Sequence, residues 1–309
     1  MNRLEKKNAL DGINKDLLAS YADGFGVNDA CGDSLPRRSE VVAVTEKLLE
    51  LIFPGFERAG TYPSAAVLLG DCHRELSDQI SRAICRISGG DCEACENRCA
   101  VKSDELAMEL LRKLPVIREV MKKDVEAAYN GDPAAKNFDE IILSYPGVRA
   151  IAIQRLAHEL YMLNVPLIPR MMTEYAHSET GIDIHPGATI GKGVFIDHGT
   201  GVVVGETAVI GDNVRIYQGV TLGAANFPKN ACGMLIKGAK RHPTVGKNVT
   251  IYSGASVLGD ITIGDNSVIG GNVWLTESLP SGTKITALPP EHRKKFLNNG
   301  EGSNESGEK

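Results

Sequence analysis

The 309-residue sequence has no apolar run near the roughly 20 residues that a bilayer span needs, which argues against a transmembrane helix. It is also short of basic clusters. With a formal net charge of −5 and no Lys/Arg-rich patch, it offers no field for nucleic acid. Its first residues, MNRLEKKNALDG, lack the apolar core of a secretory signal, so a cytoplasmic location is expected. Seven cysteines in that setting point to reduced thiols rather than a disulfide framework. Four of them, Cys85, Cys92, Cys95 and Cys99, cluster in CRISGGDCEACENRC. Cys92 and Cys95 have the bite of a zinc or iron–sulfur chelate, but the overall spacing matches no standard ribbon or ferredoxin pattern. The first reading is therefore a helix-to-helix connection carrying thiols, with a four-thiolate metal site as the other; no other metal is expected.

What is present suits a chain of about two domains, 42% hydrophobic and 24% charged. Residues 1–38 are polar and Gly-rich. From 39 to 172 apolar residues recur at helical spacing, as in SDELAMELLRKLPVIREVMKKDVEAAY, broken by Pro, Gly and the cysteine connection. The last stretch, 291–309, is rich in Asn, Gly, Ser and Glu and reads as a disordered tail.

Between them, residues 173–290 carry a different period. Ile184, Ile190, Ile196, Val202, Ala208, Val214 and Val220 recur every six residues, and Val245, Ile251, Val257, Ile263, Ile269 and Leu275 resume the phase. Six fits neither an α-helix nor strand alternation. It fits a triangular parallel β-solenoid in which each hexad makes one side, three make a coil, and stacked coils share an apolar column. Burying each such side chain is worth roughly 1.5–3 kcal/mol, which only the stack collects. Residues 223–243 have no hexad and must leave the prism as a loop, which ends in Arg241-His242-Pro243.

A histidine at a non-column position of such a prism faces outward, and the residue type's ordinary pKa of about 6.5 suits it to act as a base. His198 in FIDHGTG and His185 in DIHPG stand there, with Asp197 and Asp183 beside them. A carboxylate on the second ring nitrogen would fix the tautomer and stabilise the imidazolium. Asp183 and His198 are fifteen residues apart, just short of an eighteen-residue coil. Either aspartate could equally cap a turn.

The blocks DVEAAYNGDPAAK, DIHPGATIGKGVFIDHGTGVVVGETAVIGDNV, KRHPTVG and IYSGASVLGDITIGDNSVIGGNVWL resemble those of serine O-acetyltransferases, over roughly residues 115–285. The resemblance implies an α+β chain, a helical domain followed by a left-handed parallel β-helix, that acetylates the hydroxyl of L-serine from acetyl-CoA. It makes His198 the general base, Asp183 its orienting carboxylate, and Asp132, Asp197, Arg241 and His242 the holders of the amino acid. These types suit a zwitterion, and His242 could also donate to the oxyanion. Gly223, Ala224, Ser253 and Gly254 match the positions that line CoA, Ala224 standing where the family usually has a second Gly. Glu206 in GETA matches a family motif without a role that its type demands.

The resemblance also implies a homotrimer or dimer of trimers with sites between neighbours, and L-cysteine as a feedback inhibitor. Family members insert a C-terminal Ile into cysteine synthase; this sequence ends Gly-Glu-Lys, so that partner is not expected. Two alternatives compete. An acetyltransferase for a sugar, homoserine or xenobiotic hydroxyl would keep His198 but has no use for Asp132, Arg241 and His242. A zinc carbonic anhydrase on the same prism would need His185, His198 and His242 to converge.

Overall fold

The computed structural model describes residues 1–22, 35–56, 64–87, 96–230 and 232–288. Cys31, Cys92, Cys95 and the 291–309 tail lie outside the described residues. Among the described residues seven helices come first: α1 (Arg3–Tyr21), α2 (Arg38–Ile52), α3 (Ala65–Ile87), α4 (Glu96–Gly131), α5 (Phe138–Ser144), α6 (Pro146–Met162) and α7 (Ile168–Thr180). Helices α2 to α7 bury their periodic apolar faces together; in α2 these are Val41, Val44, Leu48, Leu49 and Ile52. α1, in the segment without evident periodicity, is capped by a reciprocal Asn2–Glu5 pair but buries none of its residues.

α7 continues to Thr180, so residues 173–180, expected within the prism, are helical. Pro169 stands in the first turn of this helix. In the first turn its missing N–H removes no intrahelical bond, and Gly181, at φ +70°, closes the other end.

Fourteen short strands follow among the described residues, all pairing in parallel. Sheet A stacks β1 (Asp183–Ile184), β4 (Val203–Val204), β7 (Thr221–Gly223), β10 (Ser256–Leu258) and β13 (Trp274–Leu275). Sheet B stacks β2 (Thr189–Ile190), β5 (Val209–Ile210), β8 (Thr244–Val245) and β11 (Thr262–Ile263). Sheet C stacks β3 (Phe195–Ile196), β6 (Arg215–Ile216), β9 (Thr250–Ile251), β12 (Val268–Ile269) and β14 (Lys284–Ile285). The chain visits A, B and C in turn, which is the three-sided coil that the hexads predict.

Each side sends two residues inward: the second strand residue and the one two before it, as in Val204 and Val202 or Ile251 and Val249. This doubling hides an irregularity. Ile184 stacks on Val204, Ile190 on Ile210 and Ile196 on Ile216, twenty residues on, whereas Val204 stacks on Leu222 eighteen on. The first coil therefore has two extra residues, placed between β3 and β4. The unbroken six-residue phase passes from one inward position to the other there, so the insertion leaves no trace in it.

The helices dock on the first coils through α6 and the end of α4. Gln154 donates to Ala188 O (2.8 Å), and Arg155 donates to Ile190 O (3.0 Å) and Gly191 O. Arg155 also holds Asp124 at 2.9 Å; that carboxylate, fully buried, accepts Val194 N–H at 2.9 Å. Burial pushes Asp124 up despite Arg155. Gly147 lies so close to β3 that a Cβ would come within 2.2 Å of Ile196 O.

Candidate active site

The two extra residues enlarge the corner between sheets C and A, Asp197-His198-Gly199-Thr200-Gly201. Gly199 N–H donates to Asp197 O (2.6 Å), closing a γ-turn with His198 at its centre, φ +59°. Among the described residues seven non-glycines have positive φ; five are Asn, which tolerates it, and His198 and Leu167 are the others. The turn throws the His198 ring outward, 70% exposed, with Nδ1 3.7 Å from the largely covered Asp197 carboxylate.

Asp132, in the turn after α4, faces the same corner. It accepts the Tyr145 hydroxyl at 2.6 Å and Ala134 N–H at 2.8 Å. The tyrosine, then the amide, and also the charge of His198 hold this carboxyl below its ordinary range. Burial and the Asp132 hydrogen bond raise the Tyr145 phenol to about 12. Asp132, Asp197 and His198 thus form one group, two carboxylates beside an exposed imidazole.

Arg241 and His242 stand at a different corner, between sheets A and B, above His185 and the tripeptide Gly205-Glu206-Thr207. Glu206 accepts Arg241 Nη2 at 2.5 Å and the Tyr161 hydroxyl at 2.9 Å. Burial raises the Glu206 carboxyl, but Arg241 and Tyr161 together bring it below its usual value. Thr207 N–H donates to His242 Nδ1 at 3.1 Å. A backbone N–H can only donate, so Nδ1 carries the lone pair and neutral His242 has its proton on Nε2. Burial, then Arg241, push this imidazole down to about 4.

The structure does not bring Asp183 within ion-pair distance of His198. Its carboxylate is 3.9 Å from the Arg170 guanidinium and close to Glu174 and His177. Sheet A separates the remaining expected residues: Ser253 and Gly254 share the His198 corner, whereas Gly223 and Ala224 lead into the loop at the Arg241 corner. His185, whose Nδ1 accepts Gly187 N–H (3.0 Å), stands with His242 and apart from His198. Of the cysteine cluster, Cys99 is buried and Cys85 half-buried.

Sequence reasoning missed Tyr145, Tyr161 and Thr207. Each acts through a partner 13 to 45 residues away, and its own surroundings in the sequence carry no sign of it.

A profile described as bacterial transferase hexapeptide (six repeats) matches residues 242–277. A plasmid serine acetyltransferase of Synechococcus elongatus is 53% identical over 213 residues, 68% of this chain and 67% of the relative. The serine acetyltransferase of Mycobacterium tuberculosis is 48% identical over 169 residues, 55% of this chain and 70% of that one. Among solved structures, Entamoeba histolytica serine acetyltransferase 1 in complex with L-cysteine superposes with a TM-score of 0.69 at 40% identity, covering 78% of this chain and 85% of its own. The Neisseria gonorrhoeae enzyme in complex with serine gives 0.53 at 26% identity, covering 87% and 99%.

Proposed function

The chain belongs to the serine acetyltransferase family, and from that premise we propose that His198 is the general base of acetyl transfer from acetyl-CoA to L-serine. The enzyme is an acyltransferase of cysteine biosynthesis on a left-handed parallel β-helix. His198 takes the serine hydroxyl proton as the oxygen attacks the thioester carbonyl. The tetrahedral intermediate collapses by breaking the carbon–sulfur bond, and the imidazolium returns the proton to the leaving thiolate. O-acetyl-L-serine and CoA result.

Asp132 and Asp197 hold the ammonium and Arg241 the carboxylate, a charge pairing that fits the zwitterion. Neutral His242 donates from Nε2 to the oxyanion; such a donor is typically worth about 2.7–4 kcal/mol. Asp197, 3.7 Å from Nδ1, is the carboxylate beside the base, whereas Asp183, the orienting carboxylate by the resemblance, lies 3.9 Å from Arg170. Gly223, Ala224, Ser253 and Gly254 line acetyl-CoA, where small side chains let the pantetheine approach the main chain. No metal takes part in these steps.

Splitting of the two corners by sheet A supports a homotrimer or dimer of trimers, in which the His198 corner of one chain faces the Arg241 corner of the next. L-cysteine, a near isostere of serine, competes at the same pocket; unchanged initial rates with cysteine at low serine would count against this. No described helix is long and apolar enough to cross a membrane, and we place the reaction in the cytoplasm.

The observation that carries the reading is the exposed His198 ring in its enlarged corner beside Asp197 and Asp132. The test measures CoA release by wild type and His198→Ala with L-serine, homoserine and a galactoside. Serine-dependent release falling about 10²–10⁴-fold in the variant is expected. Equal release with another acceptor, or an unimpaired variant, would overturn it.

A further inference from the structure

The loop between β7 and β8 is exposed at every described residue from 225 to 240, so its own packing cannot locate its far end. Yet there His242 is only 7% exposed and Arg241 is half-buried. What holds them lies one coil below. Thr207 Oγ1 accepts the main-chain N–H of Arg241 (3.0 Å) and of His242 (3.2 Å), and meets His242 Nδ1 at 2.8 Å. Its carbonyl accepts Lys240 Nζ at 2.6 Å. Next to it, Glu206 bonds Arg241 with one carboxylate oxygen and Tyr161 of α6 with the other. Gly205 lies against the His242 ring, where a Cβ would come within 2.1 Å of Nε2. No positive φ requires glycine at 205; only the approach of the ring does.

We propose that Glu206 and Thr207 are positioning residues of the acceptor site. Glu206, locked by Tyr161 from the helical half, aims the Arg241 guanidinium at the substrate carboxylate. Thr207 fixes the main chain and ring of His242. The inference rests on the roles given above to Arg241 and His242, and it assigns Glu206 the task that its residue type alone did not reveal. It also makes the contact between α6 and the prism part of acceptor selection: an α6 phenol reaches the carboxylate subsite through two hydrogen-bonded groups.

The test compares L-serine with L-serinamide, which lacks the carboxylate, in steady-state assays. Glu206→Gln and Tyr161→Phe should raise KM for serine about 5–20-fold, leaving KM for serinamide and acetyl-CoA unchanged within about 2-fold. Thr207→Val should lower kcat about 10–100-fold with both acceptors, and Thr207→Ser, which keeps the oxygen, should recover most of it. Equal KM shifts for serine and serinamide in Glu206→Gln and Tyr161→Phe would reduce the pair to structural support and overturn the inference. So would Thr207→Ser as impaired as Thr207→Val. Arg241→Gln separates this from the underlying reading. If that variant keeps the preference for serine over serinamide, the carboxylate role of Arg241 is what has failed.

Discussion

At His198 chemistry and conformation pull apart. The γ-turn holds His198 at positive φ, a conformation that costs a non-glycine residue roughly 1–3 kcal/mol, and Asn is the residue type that most often carries positive φ elsewhere among the described non-glycine residues. His198→Asn is therefore expected to be at least as stable as wild type, by about 0–1 kcal/mol, while losing about 10²–10⁴-fold in activity. Thermal melts beside rate measurements check both, and a marked drop in Tm would contradict the strain. His242 is the opposite case, a covered imidazole kept neutral down to about pH 4. The unfolded chain takes up that proton near 6.5, so this residue's contribution to stability is complete above 6.5 and is lost as pH falls from there through about 4. His242→Gln should thus show a shallower fall of stability with pH in that window, measured by denaturant titration at several pH values.

Among the elements, the enlarged corner and the α6 junction are decisive. Deleting His198 and Gly199 would return the first coil to eighteen residues with every inward position kept in register. The variant should retain its β-sheet circular dichroism and lose activity, because the strands remain paired while the base and its turn are gone. Loss of the sheet signal would show that the extra residues are needed for the prism itself. At the junction, Arg155→Ala leaves the Asp124 carboxylate buried without its cation and frees two prism carbonyls. Breaking such a pair typically costs about 3–5 kcal/mol, readable in urea unfolding.

For the whole molecule the question is whether one chain can complete a site. With His198 and Arg241 at opposite edges of sheet A, the trimer reading predicts complementation between two inactive variants. His198→Ala and Arg241→Ala chains, each inactive alone, should recover about a quarter of wild-type activity when mixed one to one and assembled at random, because a working site needs an intact corner from each of two neighbours. No recovery in the mixed assembly would put both residues in one chain's site.

The solenoid and its loop were legible in the sequence because column positions recur locally and the loop interrupts them. Helix α7 was harder to read, since Pro169 looks the same at a helix start as after a helix end. Register was decided only in three dimensions. Two inward positions, two residues apart, let a two-residue insertion at His198 pass without breaking the apolar phase. Tertiary structure also decided the partners of the polar groups: Glu206 with Arg241 and Tyr161, Thr207 with His242, and Asp183 with Arg170 instead of His198. The physical reason is range. Burial of a repeated apolar residue is specified wherever the repeat occurs, whereas a hydrogen bond across stacked coils exists only once the stacking has brought together residues far apart in the chain.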